Sequence, residues 1–239
     1  MPARLDSQAG SLVARVVGVL RSPRATFDAV ARAPSWFGVV TLTFLVTTGC
    51  TALLLETGVG QLALLDQWER TASAFGQTID DDQYAAMDDA SRHGVIYAAL
   101  SSLASGPLLA VGLAGLFFAS FRAAAPGLVT YRQVLAVVAH AGVILALRQV
   151  IAAPITYARE TLASPMTLGM FTILDEGSWP ARFLGLIDLF VFWWIVVLAI
   201  GVSVLYRRPV LRLAGLFVGA YVTLAIVLTV VMVVTGGTA

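Results

Sequence analysis

Long uninterrupted runs of apolar residues alternate along the chain with shorter polar segments. Five runs reach the length of about 20 residues that a helix needs to cross the hydrocarbon core of a bilayer. They lie at about residues 36–55, 95–121, 133–155, 182–205 and 213–234. Unbroken apolar runs of this length are typical of membrane-spanning helices. The pattern therefore predicts an all-α membrane protein, a five-transmembrane-helix bundle that forms a single membrane domain over residues 1–239.

The segment before the first run, residues 1–35, has an amphipathic pattern instead. Arginines lie on the faces that its apolar residues leave free, and two Ser-Pro or Ala-Pro steps punctuate it, each suited to the first turn of a new helix. We expect one or two helices here, either lying in the cytoplasmic membrane interface or packed against the bundle. The apolar positions at helical spacing are Leu12, Val16, Val19, Leu20, Phe27 and Val30.

Arginine placement predicts the orientation in the membrane. The segment before the first run and the connections around residues 122–132 and 207–212 are rich in arginine and contain almost no acid. The connection over residues 56–92 is instead rich in Asp and Glu. Because cytoplasmic loops carry the excess of positive charge, we expect a cytoplasmic N-terminus, an extracytoplasmic acidic 56–92 loop and an extracytoplasmic C-terminus.

Composition agrees with a membrane location and excludes other classes of protein. The protein has 239 residues, of which 59% are hydrophobic and 12% charged, with a mean hydropathy of +0.87. This is too little charge to cover a water-facing surface, since soluble domains carry about a quarter. The net charge of +1 and the lack of a basic stripe exclude nucleic acid as a partner. All 15 cationic residues are arginine, which suggests a GC-rich bacterial genome and hence a bacterial inner membrane.

Motifs for catalysis, metals and cofactors are absent from the sequence. It contains no His-Glu-x-x-His, Cys-x-x-Cys, Gly-x-Ser-x-Gly or phosphate-binding glycine loop. We therefore expect no enzyme, no metal site and no cofactor. The weakest alternative, an intramembrane hydrolase, would need Ser101, Ser102 or Ser105 within hydrogen-bond reach of His140.

Three polar residues within the apolar runs are the candidate site: Arg148, Asp188 and His140. At a rise of about 1.5 Å per residue, Arg148 lies about 22 Å above the inner boundary of the third span. A fourth helix descending from Arg182 places Asp188 at roughly 21 Å above the same inner boundary. The equal depth predicts a direct or water-bridged contact between Arg148 and Asp188 within the bundle.

Other interpretations of these residues stay open. Arg148 could extend to the outer head groups, and Asp188 could be protonated and bonded to a neighbouring group. If the pair forms, it serves either to fix the third helix against the fourth or, with His140, as part of a transport path. Gly215 and Gly219 form a small-xxx-small pair in the fifth span, which favours close helix packing within the chain or dimerisation.

The pattern as a whole resembles the bacterial branch of the Yip1 family. The stretch "RSPRATFDAVARAPSW" is similar to the family's Pro-x-x-x-Phe segment, and the fourth span is similar to its Asp-Leu-Phe-x-x-Trp stretch with a later Leu-x-x-Gly. The resemblance extends over roughly residues 12–234 and includes the five-span plan. Its positions are Pro23, Phe27 and Pro34, and then Asp188, Leu189, Phe190, Trp193, Leu198 and Gly201.

The resemblance implies a membrane protein without catalytic residues. Eukaryotic relatives associate with Rab GTPases and with one another in vesicle traffic. Their Asp-Leu-Tyr-Gly-Pro motif and long N-terminal region are missing here, so the resemblance does not extend to Rab-type GTPase binding. We expect a non-enzymatic membrane scaffold or assembly factor, whose partners are the lipid bilayer and a second copy or other membrane proteins. The alternative is a small transporter or channel-like protein that uses Arg148, Asp188 and His140.

Overall fold

The computed structural model describes residues 11–122, 129–175 and 178–236, apart from the side chains of residues 98, 102–105 and 236. In these ranges the chain is helical and contains no strand, which confirms the predicted all-α class. The helices are α1 (Leu12–Arg21), α2 (Pro23–Arg32), α3 (Phe37–Leu55), α4 (Gly58–Ala74), α5 (Asp81–Ser91), α6 (Gly94–Arg122), α7 (Tyr131–Ala141), α8 (Val143–Arg159), α9 (Trp179–Leu186), α10 (Leu189–Tyr206) and α11 (Val210–Gly236).

Five of the described helical segments are long and apolar enough to cross a membrane, as the sequence predicts. One of them is formed by α7 and α8 together, which meet at Gly142. The protein is therefore a multi-pass membrane protein. The five segments are Phe37–Leu55, Gly94–Arg122, Tyr131–Arg159, Leu189–Tyr206 and Val210–Thr235.

The chain divides into two compact units, each assembled from three stretches of sequence. Unit 1 comprises Met1–Val46, Leu103–Leu147 and Trp193–Val218. Unit 2 comprises Thr47–Ser102, Arg148–Phe192 and Gly219–Ala239. The prediction of one membrane domain over the whole chain stays a prediction.

In unit 1, the amphipathic N-terminal segment forms two helices, and the second packs against α7. Phe27 and Val30 of α2 are completely buried. Gln133 ties the two helices together, because its side-chain amide donates to the Ala31 carbonyl at 2.9 Å. The same side chain accepts a hydrogen bond from the Thr130 backbone at 2.8 Å and so completes the capping box that starts α7. The end of α2 and the start of α7 are thus fixed by one residue.

In unit 2, the acidic 56–92 loop is largely helical. Thr57 caps α4, and Asp80 caps α5 in a capping box with Gln83. The run of aspartates that begins at Asp80 therefore starts a helix, where negative charge is favourable. An exposed ion pair joins residues four positions apart in α4, Asp66 with Arg70, and at the end of α5, Asp88 with the C-cap residue Arg92.

Gly201 of α10 lies against Phe27 and Val137 in unit 1. A Cβ built on Gly201 would clash with Val137 and lie 3.2 Å from the Phe27 ring. A side chain at position 201 would therefore displace two residues of a core in which Phe27 and Val137 are fully buried. This contact gives a packing reason for two of the positions that carry the family resemblance.

We predict that Gly201→Ala lowers the free energy of unfolding by about 1–3 kcal/mol, the usual effect of overpacking a tight core. Gly215→Ala is the matched control, because no described atom lies within 4 Å of a Cβ built there. The control should be neutral or slightly stabilising, since alanine is the better helix former. Equilibrium unfolding in mild detergent measures both, and equal stability of the two variants would contradict the packing role of Gly201.

Candidate functional site

The fourth apolar segment is broken immediately before Asp188, which is not what the sequence predicts. Helix α9 ends at Leu186, Ile187 is extended with φ −91° and ψ 101°, and α10 begins at Leu189. The expectation of a single helix over residues 182–205 is therefore wrong, whereas the calculated depth of Asp188 stays a prediction. The physical reason is that Asp188 acts as an N-cap.

The Asp188 side chain starts α10 by accepting hydrogen bonds from the new helix. Its Oδ1 accepts from the backbone N–H groups of Phe190 at 2.8 Å and Val191 at 3.2 Å. Aspartate is among the preferred N-cap residues because its carboxylate satisfies N–H groups that have no intrahelical partner. An aspartate directly before a long apolar run was the available sequence signal for this helix start.

The backbone groups exposed by the break bond to two other parts of unit 2. One is the segment around Thr167: the Leu168 N–H donates to the Ile187 carbonyl at 2.8 Å, and the Leu189 N–H donates to the Met166 carbonyl at 3.0 Å. These two bonds form an isolated antiparallel bridge between Thr167 and Asp188. Backbone groups in an apolar environment require such partners, because each unsatisfied group costs several kcal/mol.

The second partner of the break is Tyr221 of α11. Its hydroxyl accepts from the Asp188 backbone N–H at 2.9 Å and donates to the Leu186 carbonyl at 2.7 Å. One phenol thus bridges the last residue of α9 and the residue that caps α10. Tyr221 could not be predicted from the sequence, since nothing in the spacing of the apolar fifth span marks it.

The structure brings Arg148 and Asp188 into direct contact. Arg148 Nε donates to Asp188 Oδ2 at 2.8 Å, and Arg148 Nη2 donates to the hydroxyl of Ser164 at 2.8 Å. Ser164 in turn donates to the same Asp188 oxygen at 2.8 Å. The side chains of Arg148 and Asp188 are 27% and 7% exposed. We call Arg148, Ser164, Asp188 and Tyr221 the Asp188 network.

Every acceptor position of the Asp188 carboxylate is in use. An ionised carboxylate has about four lone-pair sites. Here Oδ2 accepts from Arg148 and Ser164, and Oδ1 accepts from the backbone N–H groups of Phe190 and Val191. The charge is compensated by a guanidinium and the remaining positions by three further donors, the condition under which a buried ion pair is tolerated.

His140, the third polar candidate, belongs to unit 1 and has its own contacts. It is completely buried, and its Nδ1 lies 2.7 Å from the Ala136 carbonyl oxygen. Among the described residues its Nε2 has no hydrogen-bond partner.

Gly215 and Gly219, the predicted helix-packing pair, have no close neighbours in the described part of the chain. No described atom outside their own helix turn lies within 4 Å of a Cβ built on either.

The positions that carry the family resemblance fall into two groups. The first group lies in and around α2. Pro23 is the first residue of this helix, Phe27 is buried against Gly201, and Pro34 follows the end of the helix. The second begins α10, where Asp188 caps the helix and Phe190 supplies one of the capped N–H groups. Trp193 follows in the first turns of α10 and is 37% exposed.

We predict that Asp188→Asn lowers the free energy of unfolding by about 2–4 kcal/mol. Asparagine retains the N-cap oxygen but turns an N–H donor toward the Arg148 donor, and breaking a buried pair from one side is strongly destabilising. Asp66→Asn is the matched control, because its pair with Arg70 is exposed and worth less than about 1 kcal/mol. Unfolding curves in mild detergent test this, and a wild-type midpoint for Asp188→Asn would contradict the assigned role.

Comparison with models of protein families agrees with the resemblance seen in the sequence. Residues 17–232 match the Yip1 domain. Searches of curated proteins and of solved structures find no significant match. The matched range includes the buried Phe27, both partners of the Arg148–Asp188 pair, and Tyr221. Because the match covers most of the chain, the protein belongs to the Yip1 family.

Proposed function

We propose that this Yip1-family membrane protein is a non-enzymatic scaffold that assembles or organises other membrane proteins. The observation that carries the proposal is the use of all acceptor positions of the Asp188 carboxylate by donors from its own chain. The charge inside the apolar part of unit 2 is thereby committed to holding chain segments together. A rigid, internally satisfied arrangement suits a protein that acts through its surface.

The transport alternative has less support from this geometry. A transport site must bind its ion or solute strongly enough to take it up and weakly enough to release it. For Asp188 to bind such a ligand, it would have to leave Arg148 and Ser164 or remove the cap of α10. Each turnover would then break several of the contacts that hold the interrupted helix.

The proposal of a non-enzymatic role draws on the family and on His140. The Yip1 family is not known as an enzyme family. A hydrolase would require a serine hydroxyl bonded to His140, and the ring contact in the described part of the chain is with the Ala136 carbonyl. The side chains of Ser102 and Ser105 lie outside the described residues.

For location, we propose a bacterial inner membrane, with the N-terminus in the cytoplasm and the C-terminus outside. The support is the concentration of arginine before α3 and in the connections around residues 122–132 and 207–212, against the acidic α4 and α5. The absence of lysine among 15 cationic residues supports the bacterial assignment.

Thiol labelling tests the orientation. In a Cys50→Ala background, a membrane-impermeant maleimide applied to intact cells should label Ser73→Cys, an exposed position in α4. It should leave Leu211→Cys unlabelled until the cells are lysed, because that exposed position lies next to the arginine-rich connection. The reverse labelling pattern would contradict the proposed orientation.

Proteoliposomes separate the scaffold from the transporter. We expect liposomes containing the wild-type protein to match empty liposomes in the flux of protons, Na⁺, K⁺, chloride and phosphate. Asp188→Asn should lower the free energy of unfolding and leave these fluxes unchanged. Flux that depends on the wild-type protein, disappears in Asp188→Asn and persists in Asp66→Asn would overturn the scaffold proposal in favour of transport.

The scaffold itself requires a complex in the native membrane. Crosslinking before solubilisation should give a species of defined mass and constant stoichiometry that contains this chain and either a second copy or another membrane protein. Recovery of the chain only as a monomer from crosslinked membranes would contradict the proposal.

A further inference from the structure

A cavity of about 520 Å³ lies in unit 2, beside the Asp188 network. Ser164 and Thr167, which lie next to the broken helix, form part of its wall, and α9 forms another part. Gly169 and Gly185 line it as well. At these glycines the 3₁₀ turn Leu168–Phe171 comes close to α9, since a Cβ built on Gly169 would lie 3.1 Å from the Gly185 nitrogen. The volume is in the range of small-molecule sites.

Two arginines line this cavity, and none of its described lining residues is acidic. Arg182 donates from Nη1 to the Met232 carbonyl, and Arg159 donates from Nη1 to the sulfur of Met170 at 3.3 Å. In the described part of the chain neither guanidinium is paired with a carboxylate. Each guanidinium has five N–H donors, so both keep donors for a ligand.

Several features around the cavity are typical of the level of lipid head groups. Arg159 is the last residue of the span Tyr131–Arg159, and Arg182 bonds to Met232 near the end of the span Val210–Thr235. Exposed aromatic side chains lie close in sequence to the residues that line the cavity: Tyr157, Phe171 and Trp179 are 50%, 71% and 61% exposed. Aromatic residues and arginines at the ends of spans are typical of the membrane–water interface.

We propose that this cavity binds a phosphate-bearing anion through Arg159 and Arg182. Arginine matches phosphate geometry with paired N–H donors, and Thr167 and Thr172 line the same space. Such a phosphate is carried either by an anionic phospholipid head group or by a free anion in solution. The site does not rest on the proposed scaffold role, because Arg159 and Arg182 make none of the contacts that hold Asp188.

The test uses full-length protein purified in mild detergent. Native mass spectrometry measures retention of phosphatidylglycerol against phosphatidylcholine with the same acyl chains, and calorimetry measures binding of inorganic phosphate. We expect the double change Arg159→Gln and Arg182→Gln to weaken the binding of the phosphate-bearing ligand about tenfold or more, as the loss of charge-assisted hydrogen bonds requires. Arg92→Gln, which removes an exposed arginine directly after α5, should bind as the wild type does.

A second variant blocks the cavity without changing its charge or the Arg182–Met232 contact. Gly185 lines the cavity and a Cβ built on it meets no described atom within 4 Å, so Gly185→Leu adds volume at the cavity wall without a clash. We expect it to weaken binding to a similar extent while the unfolding midpoint stays unchanged.

The outcomes are distinct. Preference for phosphatidylglycerol that is lost in both variants supports a lipid head group as the source of the phosphate. Binding of inorganic phosphate with the same losses, without lipid preference, supports a free anion. Equal retention of both probes by the wild type, the double arginine variant and Gly185→Leu would overturn the proposal.

Discussion

A buried carboxylate that needs four donors is the constraint on which unit 2 depends. Hydrocarbon offers no water to an unpaired charge or an open peptide group, so each must find a partner within the protein. Asp188 meets this demand by combining two roles. It neutralises Arg148 through one oxygen and begins α10 through the other. Either role alone would leave lone pairs of the carboxylate unused, and together they use all of them.

The break in the helix creates further demands, and these explain the course of the surrounding chain. Stopping α9 at Leu186 exposes carbonyl and N–H groups that a continuous helix would have paired. The segment at Met166–Leu168 folds back to pair two of them, and Tyr221 pairs two more. Ser164 precedes this segment and joins the ion pair, so the same loop serves both the backbone and the charge. The loop after α8 is therefore ordered by hydrogen bonding, without requiring a large apolar core of its own.

The features that the sequence predicts are those that depend on composition or on the spacing of a few residues. The five spans follow from run length, and the Arg148–Asp188 contact follows from opposite charges at comparable positions in consecutive spans. The depth calculation led to the contact although its assumption of one helix over residues 182–205 was wrong. Ser164, Tyr221 and the cavity could not be found in this way, since they come from segments with no fixed spacing to Asp188. The contact of Gly201 with Phe27 joins residues far apart in sequence and likewise becomes visible only in three dimensions.

The identity of the cation explains why the network is specific as well as neutral. A lysine ammonium is a compact point charge on a flexible stem and would balance Asp188 from many positions. The guanidinium of Arg148 instead directs Nε to the carboxylate and Nη2 to Ser164, and Ser164 completes the triangle by donating to the same carboxylate oxygen. The angles of a rigid fork thereby fix α8, the loop that follows it and the start of α10 relative to one another within unit 2. Charge compensation alone would hold these segments near each other, whereas the fork geometry determines how they meet.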